Sequence, residues 1–252
     1  MDLGLREKRA LVIGGSSGIG YAVCEALAAE GAHIIMLARD PARLDESAGR
    51  LRRSHGADVI TITADMLSRS RMKALADELR SSGGLDVMVL NSARPPSPMR
   101  EFLAETESER WAEGYEQQLL APIHAMLELV PLLLEREWSR LIAITSATVK
   151  QPMPVHAIST IFRAGVQAAL KHLSNENAHR GLTVNAVAPA TILTESLAKF
   201  HNLEHRAAAI PVKRLGTLEE LAATVVFLAS RQAGFVTGQI IQVDGGMTAS
   251  LC

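Results

Sequence analysis

The chain has 252 residues, of which 48% are hydrophobic and 21% are charged, and its formal net charge at pH 7 is −1. A chain of this length can bury a substantial core, and its balanced charge gives no electrostatic reason to expect nucleic acid or a membrane as a partner. The longest stretch without an acidic or basic residue covers 15 residues, 10–24, whereas a membrane-spanning helix needs about 20 apolar residues. With two cysteines and no apolar signal core at its start, the sequence predicts a cytoplasmic protein.

Seven short apolar runs predict β-strands, and longer amphipathic stretches between them predict helices. The predicted strands cover residues 10–13, 33–37, 59–63, 87–90, 141–145, 184–188 and 240–243. The predicted helices cover residues 19–30, 42–53, 69–80, 107–135, 158–179 and 218–230. Strands that are apolar almost throughout are typical of a parallel sheet covered on both faces. The alternation therefore predicts an α/β fold with a Rossmann-type, three-layer, doubly wound parallel sheet of about seven strands, in a single domain over residues 1–252.

A glycine-rich loop follows the first predicted strand. Residues 11–13 lead directly into the segment 14–20, Gly-Gly-Ser-Ser-Gly-Ile-Gly, and a helical pattern begins there. Glycines permit a tight turn and let the backbone approach a diphosphate, while the helix N-terminus supplies free amide donors. Glycine clusters also serve ordinary turns, but the strand–loop–helix context favours a phosphate-binding loop.

The spacing of these glycines, Gly-x-x-x-Gly-x-Gly, resembles that of the short-chain dehydrogenase/reductase family. Residues 91–94, Asn-Ser-Ala-Arg, are similar to the family's Asn-Asn-Ala-Gly motif, with Arg94 in place of a glycine. Residues 185–194 resemble its Asn-x-Val-x-Pro-Gly-x-Ile-x-Thr stretch, with Ala190 in place of the glycine. The tail, from Arg-Leu-Gly at 214–216 to Val-Asp-Gly-Gly at 243–246, looks like that of the 3-oxoacyl-carrier-protein reductases.

The resemblance implies a nicotinamide cofactor and identifies the residues that would bind it. Asp65, after the third strand, looks like the family's adenine-contacting acid. The implied cofactor-binding residues are Gly14, Ser16, Ser17, Gly18, Ile19, Gly20, Arg39, Asp65, Met66, Asn91, Ala93, Arg163, Pro189, Ile192 and Thr194. No metal site is predicted.

Arg39 bears on the choice between NADP(H) and NAD(H). At the end of the second strand, an acidic residue would bind the ribose hydroxyls of NAD, but this chain has Ala38-Arg39 there. The guanidinium fork of arginine suits the ribose phosphate of NADP, and Ser16 and Ser17 could add hydroxyl donors. The sequence therefore favours NADP(H). Arg39 could instead be a solvated residue paired with Asp40, and Asp40 could itself reach the ribose and permit NAD(H) to bind.

The predicted catalytic centre departs from the family pattern. The family uses a serine after the fifth strand, then a tyrosine that moves the proton, and four residues later a lysine. Ser146 matches the serine, but Ser159 stands in the tyrosine's place and Arg163 in the lysine's. Gln118 stands where the family has a helical asparagine, and neither of the chain's tyrosines, Tyr21 and Tyr115, lies in this region.

These replacements weaken proton transfer, because a serine hydroxyl is a far weaker acid than a tyrosine, and arginine keeps its proton. General acid–base catalysis contributes about 10²–10⁴-fold, so loss of the tyrosine raises the barrier by about 3–5 kcal/mol. His156 is one candidate replacement acid, although a histidine near a helix start is often structural. Alternatively, a quinone or conjugated diketone needs no strong acid, because its hydride adduct is a delocalised anion that water can protonate. Arg163 could still donate to ribose hydroxyls.

Two functions follow from these observations. One is an NADP(H)-dependent oxidoreductase that transfers hydride to a carbonyl, oxoacyl or quinone-like acceptor, or from the corresponding alcohol. The other is a non-catalytic NADP(H)-binding sensor or partner subunit that has lost the proton relay. By resemblance, the helices at 107–135 and 158–179 form a dimer interface, so a homodimer or homotetramer is expected, and residues 190–212 form a lid over a small-molecule substrate. Phe200, His201, Leu203 and His205 suggest that this lid is partly apolar.

Overall fold

Seven parallel strands form one sheet in a computed structural model that describes residues 1–195, 197 and 203–251. The strands are β1 (Arg9–Ile13), β2 (His33–Ala38), β3 (Val59–Thr63), β4 (Val87–Asn91), β5 (Ser139–Ile144), β6 (Leu182–Pro189) and β7 (Ile240–Val243). Their order across the sheet is β3-β2-β1-β4-β5-β6-β7. The predicted number, position and parallel pairing of the strands are confirmed, with ends that differ by two residues at most.

Eight α-helices, among the residues that the structure describes, connect and cover these strands. They are α1 (Gly18–Ala29), α2 (Pro41–His55), α3 (Arg69–Ser81), α4 (Ser108–Tyr115), α5 (Ala121–Leu133), α6 (Ala157–Asn177), α7 (Leu203–Ala209) and α8 (Leu218–Ala229). Because each strand runs parallel to its neighbours, the chain crosses over after every strand, and the helices cover both faces. The predicted three-layer, doubly wound architecture is confirmed.

Alternate side chains of each strand supply two apolar cores. On β1, Val12 packs in the core shared with α1, α2 and α8, whereas Leu11 and Ile13 pack in the core shared with α3, α5 and α6. This division explains why the strands are apolar almost throughout, since both faces of the central strands are covered, and only the edge strands β3 and β7 are partly exposed. Within the described part of the chain, no helix is long and apolar enough to cross a membrane.

The helix predicted over residues 107–135 is continuous but contains one irregular turn. Between α4 and α5, residues Glu116–Leu120 form a π-helical turn, a feature that often marks functional sites. This turn carries Gln118, which is fully buried and faces α6. Hydrophobic periodicity does not reveal such a turn, because one inserted residue shifts the pattern by less than a third of a helical repeat.

The apolar residues of α5 are mostly core residues. Leu129, Val130, Leu132 and Leu133 are buried, whereas Leu127 is 56% exposed. The many apolar residues of α5 therefore reflect burial in the core of the monomer more than an interface between subunits.

The predicted lid lies in the segment that follows β6. Ile192 pairs with Gly216 as an isolated bridge, and α7 occupies Leu203–Ala209, a helix that the sequence analysis did not predict. Of the side chains proposed to make the lid apolar, Phe200 and His201 lie outside the described residues.

Strands β1 and β4 are neighbours in space although two further strands separate them in sequence. The chain therefore reverses its direction of winding at this pair. In sheets of this kind a ligand binds at the carboxyl ends of the strands, in the crevice that this reversal opens. Apart from Arg163, in the second turn of α6, the residues predicted to bind the cofactor lie at or after those strand ends, or at the helix starts that follow them.

Candidate active site

The loop after β1 turns sharply and lies close to its own backbone. Gly14 has a left-handed φ of 77°, and the amides of Gly14 and Gly15 both donate to the carbonyl of Leu37, at 2.8 and 3.2 Å. A Cβ atom on Gly20 would lie 2.1 Å from the carbonyl oxygen of Gly14. No side chain fits there, so a glycine is required at position 20 for the loop to close against α1.

The first turn of α1 is left without a side-chain cap. Ser17 is the N-cap residue and is extended, yet its hydroxyl makes no capping hydrogen bond. By contrast, Asp40 caps α2 and Ser68 caps α3 through hydrogen bonds to the amides of Arg43 and Arg71. An uncapped helix start presents free amide donors and a favourable dipole to an anion. The predicted phosphate-binding loop, with Ser16, Ser17, Gly18 and Ile19, thus has the geometry that a diphosphate needs.

Arg39 lies beside Asp65 rather than Asp40. Its Nη1 is 4.0 Å from a carboxylate oxygen of Asp65, and both side chains are exposed. Asp40 instead accepts a hydrogen bond from the Arg43 amide at 3.1 Å and begins α2. Arg39 is thus solvated, as the alternative expected, but its ion pair is with Asp65 and not with Asp40. An exposed guanidinium beside the loop can turn toward a ribose phosphate.

The remaining predicted cofactor-binding residues lie along the same edge. Asn91 ends β4. Its side-chain nitrogen, Nδ2, lies 3.1 Å from the position that a Cβ atom on Gly14 would occupy. Met66 is buried after β3. After β6, the side-chain oxygen of Thr194 accepts from the Leu197 amide at 3.2 Å, and Ile192 and Pro189 are buried.

Arg163 is held by oxygen atoms from three different elements. Its Nε donates to Oε1 of Gln118 at 3.3 Å, its Nη2 donates to the carbonyl of Ala93 at 3.1 Å, and its Nη1 donates to the carbonyl of Thr145. None of these partners is charged, and no carboxylate forms an ion pair with Arg163 among the described residues. Burial lowers the pKa of its guanidinium to about 10, so the group stays positively charged at neutral pH.

Ser146 and Ser159 present two different hydroxyl groups. The Oγ of Ser146 lies 2.9 Å from Oγ1 of Thr148 and accepts from the Thr148 amide at 3.2 Å. Ser159, one helical turn before Arg163, is only 5% exposed, and its hydroxyl has no hydrogen-bond partner within the part of the chain that the structure describes. The Ser159 oxygen is not sealed from solvent, so a ligand oxygen can bind it in place of water.

His156 lies apart from this group, immediately before α6. Its Nδ1 is 2.7 Å from the carbonyl of Pro154, a contact that holds the ring against its own loop. Next to it, a cavity of about 440 Å³ is lined mainly by apolar residues, among them Phe102, Met153 and Ile161. Neither Ser146 nor Ser159 lines this cavity. The contacts of His156 are those of a loop residue, and its role as an acid stays a prediction.

Comparison with known proteins agrees with this architecture. The protein family described as enoyl-(acyl carrier protein) reductase matches residues 14–248. The chain belongs to the short-chain dehydrogenase/reductase family. It is 32% identical to nodulation protein G of Rhizobium sp. (strain N33) over 246 residues, which cover 96% of this chain and 98% of that protein. It is 31% identical to a 3-oxoacyl-(acyl-carrier-protein) reductase of Vibrio cholerae over 248 residues, covering 97% and 99% of the two chains.

Among solved structures, the chain is similar to L-sorbose reductase from Gluconobacter frateurii in complex with NADPH and L-sorbose. The two share 32% of their residues and superpose with a TM-score of 0.92 over 100% of both chains. These similarities confirm the family and the fold predicted from the sequence. They place the protein among oxidoreductases.

Two polar residues that contact the candidate site or its neighbours escaped the sequence analysis. Thr148 contacts Ser146 and accepts a hydrogen bond from Thr160, and Gln167 donates to Oγ1 of Thr145 at 2.9 Å. Gln167 follows Arg163 by four residues, as Arg163 follows Ser159, so helical spacing could have revealed it. Nothing in the sequence indicates the contact of Thr148.

Proposed function

We propose that this protein is an NADP(H)-dependent oxidoreductase that transfers hydride to a carbonyl, oxoacyl or quinone-like acceptor, or from the corresponding alcohol. The observation that carries the proposal is the uncapped first turn of α1 behind a closed glycine loop. It lies at the strand ends where the chain reverses its winding. In this family, we expect a loop of this form to bind the diphosphate of a nicotinamide nucleotide.

Arg39 supports NADP(H) over NAD(H). Its exposed guanidinium stands where an NAD-binding protein has an acid, and it can make charge-assisted hydrogen bonds to a ribose phosphate. The similarity to an NADPH-bound L-sorbose reductase supports the same choice. Asp65 lies 4.0 Å from Arg39 and would orient its side chain in the absence of the phosphate.

Ser146, Ser159 and Arg163 can stabilise a negative oxygen but are poorly suited to protonate one. The bound reduced nicotinamide supplies the hydride. The two serine hydroxyls can donate hydrogen bonds to the acceptor oxygen, and the fixed charge of Arg163 favours an anion near the ends of β4 and β5. None of the three groups gives up a proton readily at neutral pH. We therefore propose activated acceptors, whose anionic products water can protonate, over isolated ketones.

Two observations favour a non-catalytic role. Arg163 makes its hydrogen bonds to protein oxygens, and neither tyrosine is available, because Tyr21 packs under Arg50 and Tyr115 packs beside Phe162. Under this alternative the protein binds NADP(H) as a sensor or as a partner subunit. The two functions share the cofactor site and differ in turnover.

Three further expectations belong to the same proposal. The protein acts in the cytoplasm on a small molecule, residues 190–212 close over it as a lid, and the protein forms a homodimer or homotetramer. The exposed apolar residues Leu127 on α5 and Ile161 on α6 support an interface at these helices. Light scattering during size-exclusion chromatography would measure the oligomeric state directly.

Calorimetric titration with NADPH and then NADH tests the cofactor. We expect NADPH to bind at least ten times more tightly than NADH, and binding of neither would refute the proposal. The next measurement is the turnover of four acceptors: a quinone, a conjugated diketone, an oxoacyl thioester and a simple ketone. Faster turnover of the activated acceptors, lost in Ser146→Ala, supports the enzyme. NADPH binding without turnover of any acceptor favours the non-catalytic role.

A further inference from the structure

A side chain of α2, that of Ser47, makes a hydrogen bond to the backbone of the glycine loop after β1. Ser47 is only 1% exposed, and its hydroxyl donates to the backbone carbonyl of Ser16 at 2.8 Å, across 31 residues of sequence. Ser16 is buried as well. This bond therefore connects the middle of α2 to the part of the loop that immediately precedes α1.

Ser47 donates this hydrogen bond, because a carbonyl oxygen can only accept, and its own oxygen accepts from a second partner. Nη2 of Arg50 lies 3.3 Å from Oγ of Ser47, and a guanidinium can only donate. Ser47 thus accepts from Arg50 and gives its own proton to Ser16. The guanidinium of Arg50 in turn lies over the ring of Tyr21 on α1, 4.4 Å from its centroid. These contacts form a chain from α1 through α2 to the loop.

This chain fixes the direction of an amide that the proposed cofactor needs. The carbonyl of Ser16 and the N–H of Ser17 belong to the same peptide group, and in a planar trans peptide they point in opposite directions. Because Ser47 holds the carbonyl toward α2, the Ser17 N–H points away from α2. That N–H has no acceptor within the described part of the chain, so it is free to bind a phosphate oxygen.

We propose that Ser47 is a positioning residue for the diphosphate-binding loop, and that α2 uses it to brace that loop. The inference rests on the proposed function, since it assumes that the loop binds a nicotinamide nucleotide. Helix α2 starts at Pro41, and the two residues before it are Arg39 and the helix cap, Asp40. The same helix thus connects the arginine that would bind the ribose phosphate to the loop that would bind the diphosphate.

The test compares Ser47→Ala with Ser54→Ala. Ser54 lies on the same helix and its hydroxyl also donates to a backbone carbonyl, that of Arg50 at 2.9 Å, but it is exposed and far from the loop. Calorimetry would measure the affinity for NADPH and NADH. We expect Ser47→Ala to weaken the binding of both about five- to fiftyfold, because a buried carbonyl loses its donor. Ser54→Ala should stay within about twofold of the parent.

Two further readouts separate positioning from general stability. Amide hydrogen exchange of residues 15–19 would be measured in the nucleotide-free proteins. It should be equal in the parent and in Ser54→Ala, and faster in Ser47→Ala. In steady-state assays, Ser47→Ala should raise KM for NADPH and leave kcat within about twofold. A purely structural residue would lower the melting temperature without either change.

Two results would refute the role of Ser47. One is that the parent protein binds NADPH and the Ser47→Ala variant binds it with equal affinity; this result would leave the proposed function intact. The other is a parent that binds neither nucleotide, which would refute the proposed function and the brace with it. If Ser47→Ala does not fold, Arg50→Met removes the donor to Ser47 and should weaken NADPH binding about two- to fivefold. An unchanged affinity in Arg50→Met would then count against the brace.

Discussion

The loop after β1 and the Ser159–Arg163 pair on α6 lie at the same edge of the sheet, yet they have kept different amounts of the family pattern. The loop retains its glycines, its sharp turn and its uncapped helix start. The pair retains its helical spacing but not the tyrosine and lysine that move a proton. Arg163 is instead surrounded by neutral oxygen atoms.

The difference lies in what each region uses for binding. The loop presents backbone amides, whose directions depend on the fold and on glycines such as Gly14 and Gly20, so a side chain at either position disrupts it. The catalytic centre presents side chains, and side chains can be exchanged at constant backbone geometry. A cofactor site can therefore persist while the chemistry beside it changes, as expected when function resides in particular groups rather than in the fold.

The largest effect is expected from closing the space behind the loop. In Gly20→Ala the new Cβ would lie 2.1 Å from the Gly14 carbonyl oxygen, so the backbone must move. We expect NADPH affinity to fall more than about a hundredfold and the free energy of unfolding to fall by about 1–3 kcal/mol. Calorimetry and chemical denaturation would measure both.

Gly49→Ala is the matched control. Position 49 lies within α2, where the new Cβ would meet only the end of the Arg53 side chain, at 3.2 Å. Alanine favours a helix over glycine by about 0.5–1 kcal/mol, so this variant should be slightly more stable and should bind NADPH normally. Unchanged binding in Gly20→Ala would show that the loop does not hold the cofactor.

The second prediction concerns the missing proton donor. The double variant Ser159→Tyr with Arg163→Lys restores the family residues, and we expect it to reduce simple ketones about 10²-fold faster than the parent. Each single variant should gain much less, because the tyrosine and the lysine act together. Stopped-flow measurement of NADPH oxidation would quantify the rates. No gain in the double variant would mean that more than the acid distinguishes this centre.

The third prediction separates the two nicotinamide nucleotides. Arg39→Ala removes a charge-assisted contact worth about 1.5–3 kcal/mol and should weaken NADPH binding about ten- to a hundredfold. NADH binding should change little. Arg71→Ala, which removes a half-buried arginine paired with Glu78 on α3, is the control and should affect neither nucleotide. Equal losses for NADPH and NADH would contradict the role of Arg39 in recognising the phosphate.

The smallest effect is expected from pH. Since the pKa of Arg163 is lowered only to about 10, its charge persists through the neutral range and is lost as the pH rises through 10. For a quinone-type acceptor, kcat/KM should therefore stay level from about pH 6 to 9 and fall above that range. Loss of turnover in His156→Ala, with the affinity for NADPH unchanged, would instead identify His156 as the acid.

The sequence alone determined the layers of this protein, because strands that are apolar throughout can be buried only between two layers of helices. It also indicated the glycine loop, through the Gly-x-x-x-Gly-x-Gly spacing between a strand and a helix, and the family resemblance exposed the loss of tyrosine and lysine at Ser159 and Arg163. Local patterns carry this information, and local patterns can be read from one chain.

Only the tertiary structure decided which groups these residues meet. It showed that Arg39 lies beside Asp65, that Gln118 on a π-helical turn binds Arg163, and that Ser47 holds the loop. These contacts join residues 26, 45 and 31 positions apart, and a hydrogen bond between distant residues leaves no periodicity in the sequence. The packing of the helices on the sheet brings such partners together, and that packing depends on the whole core.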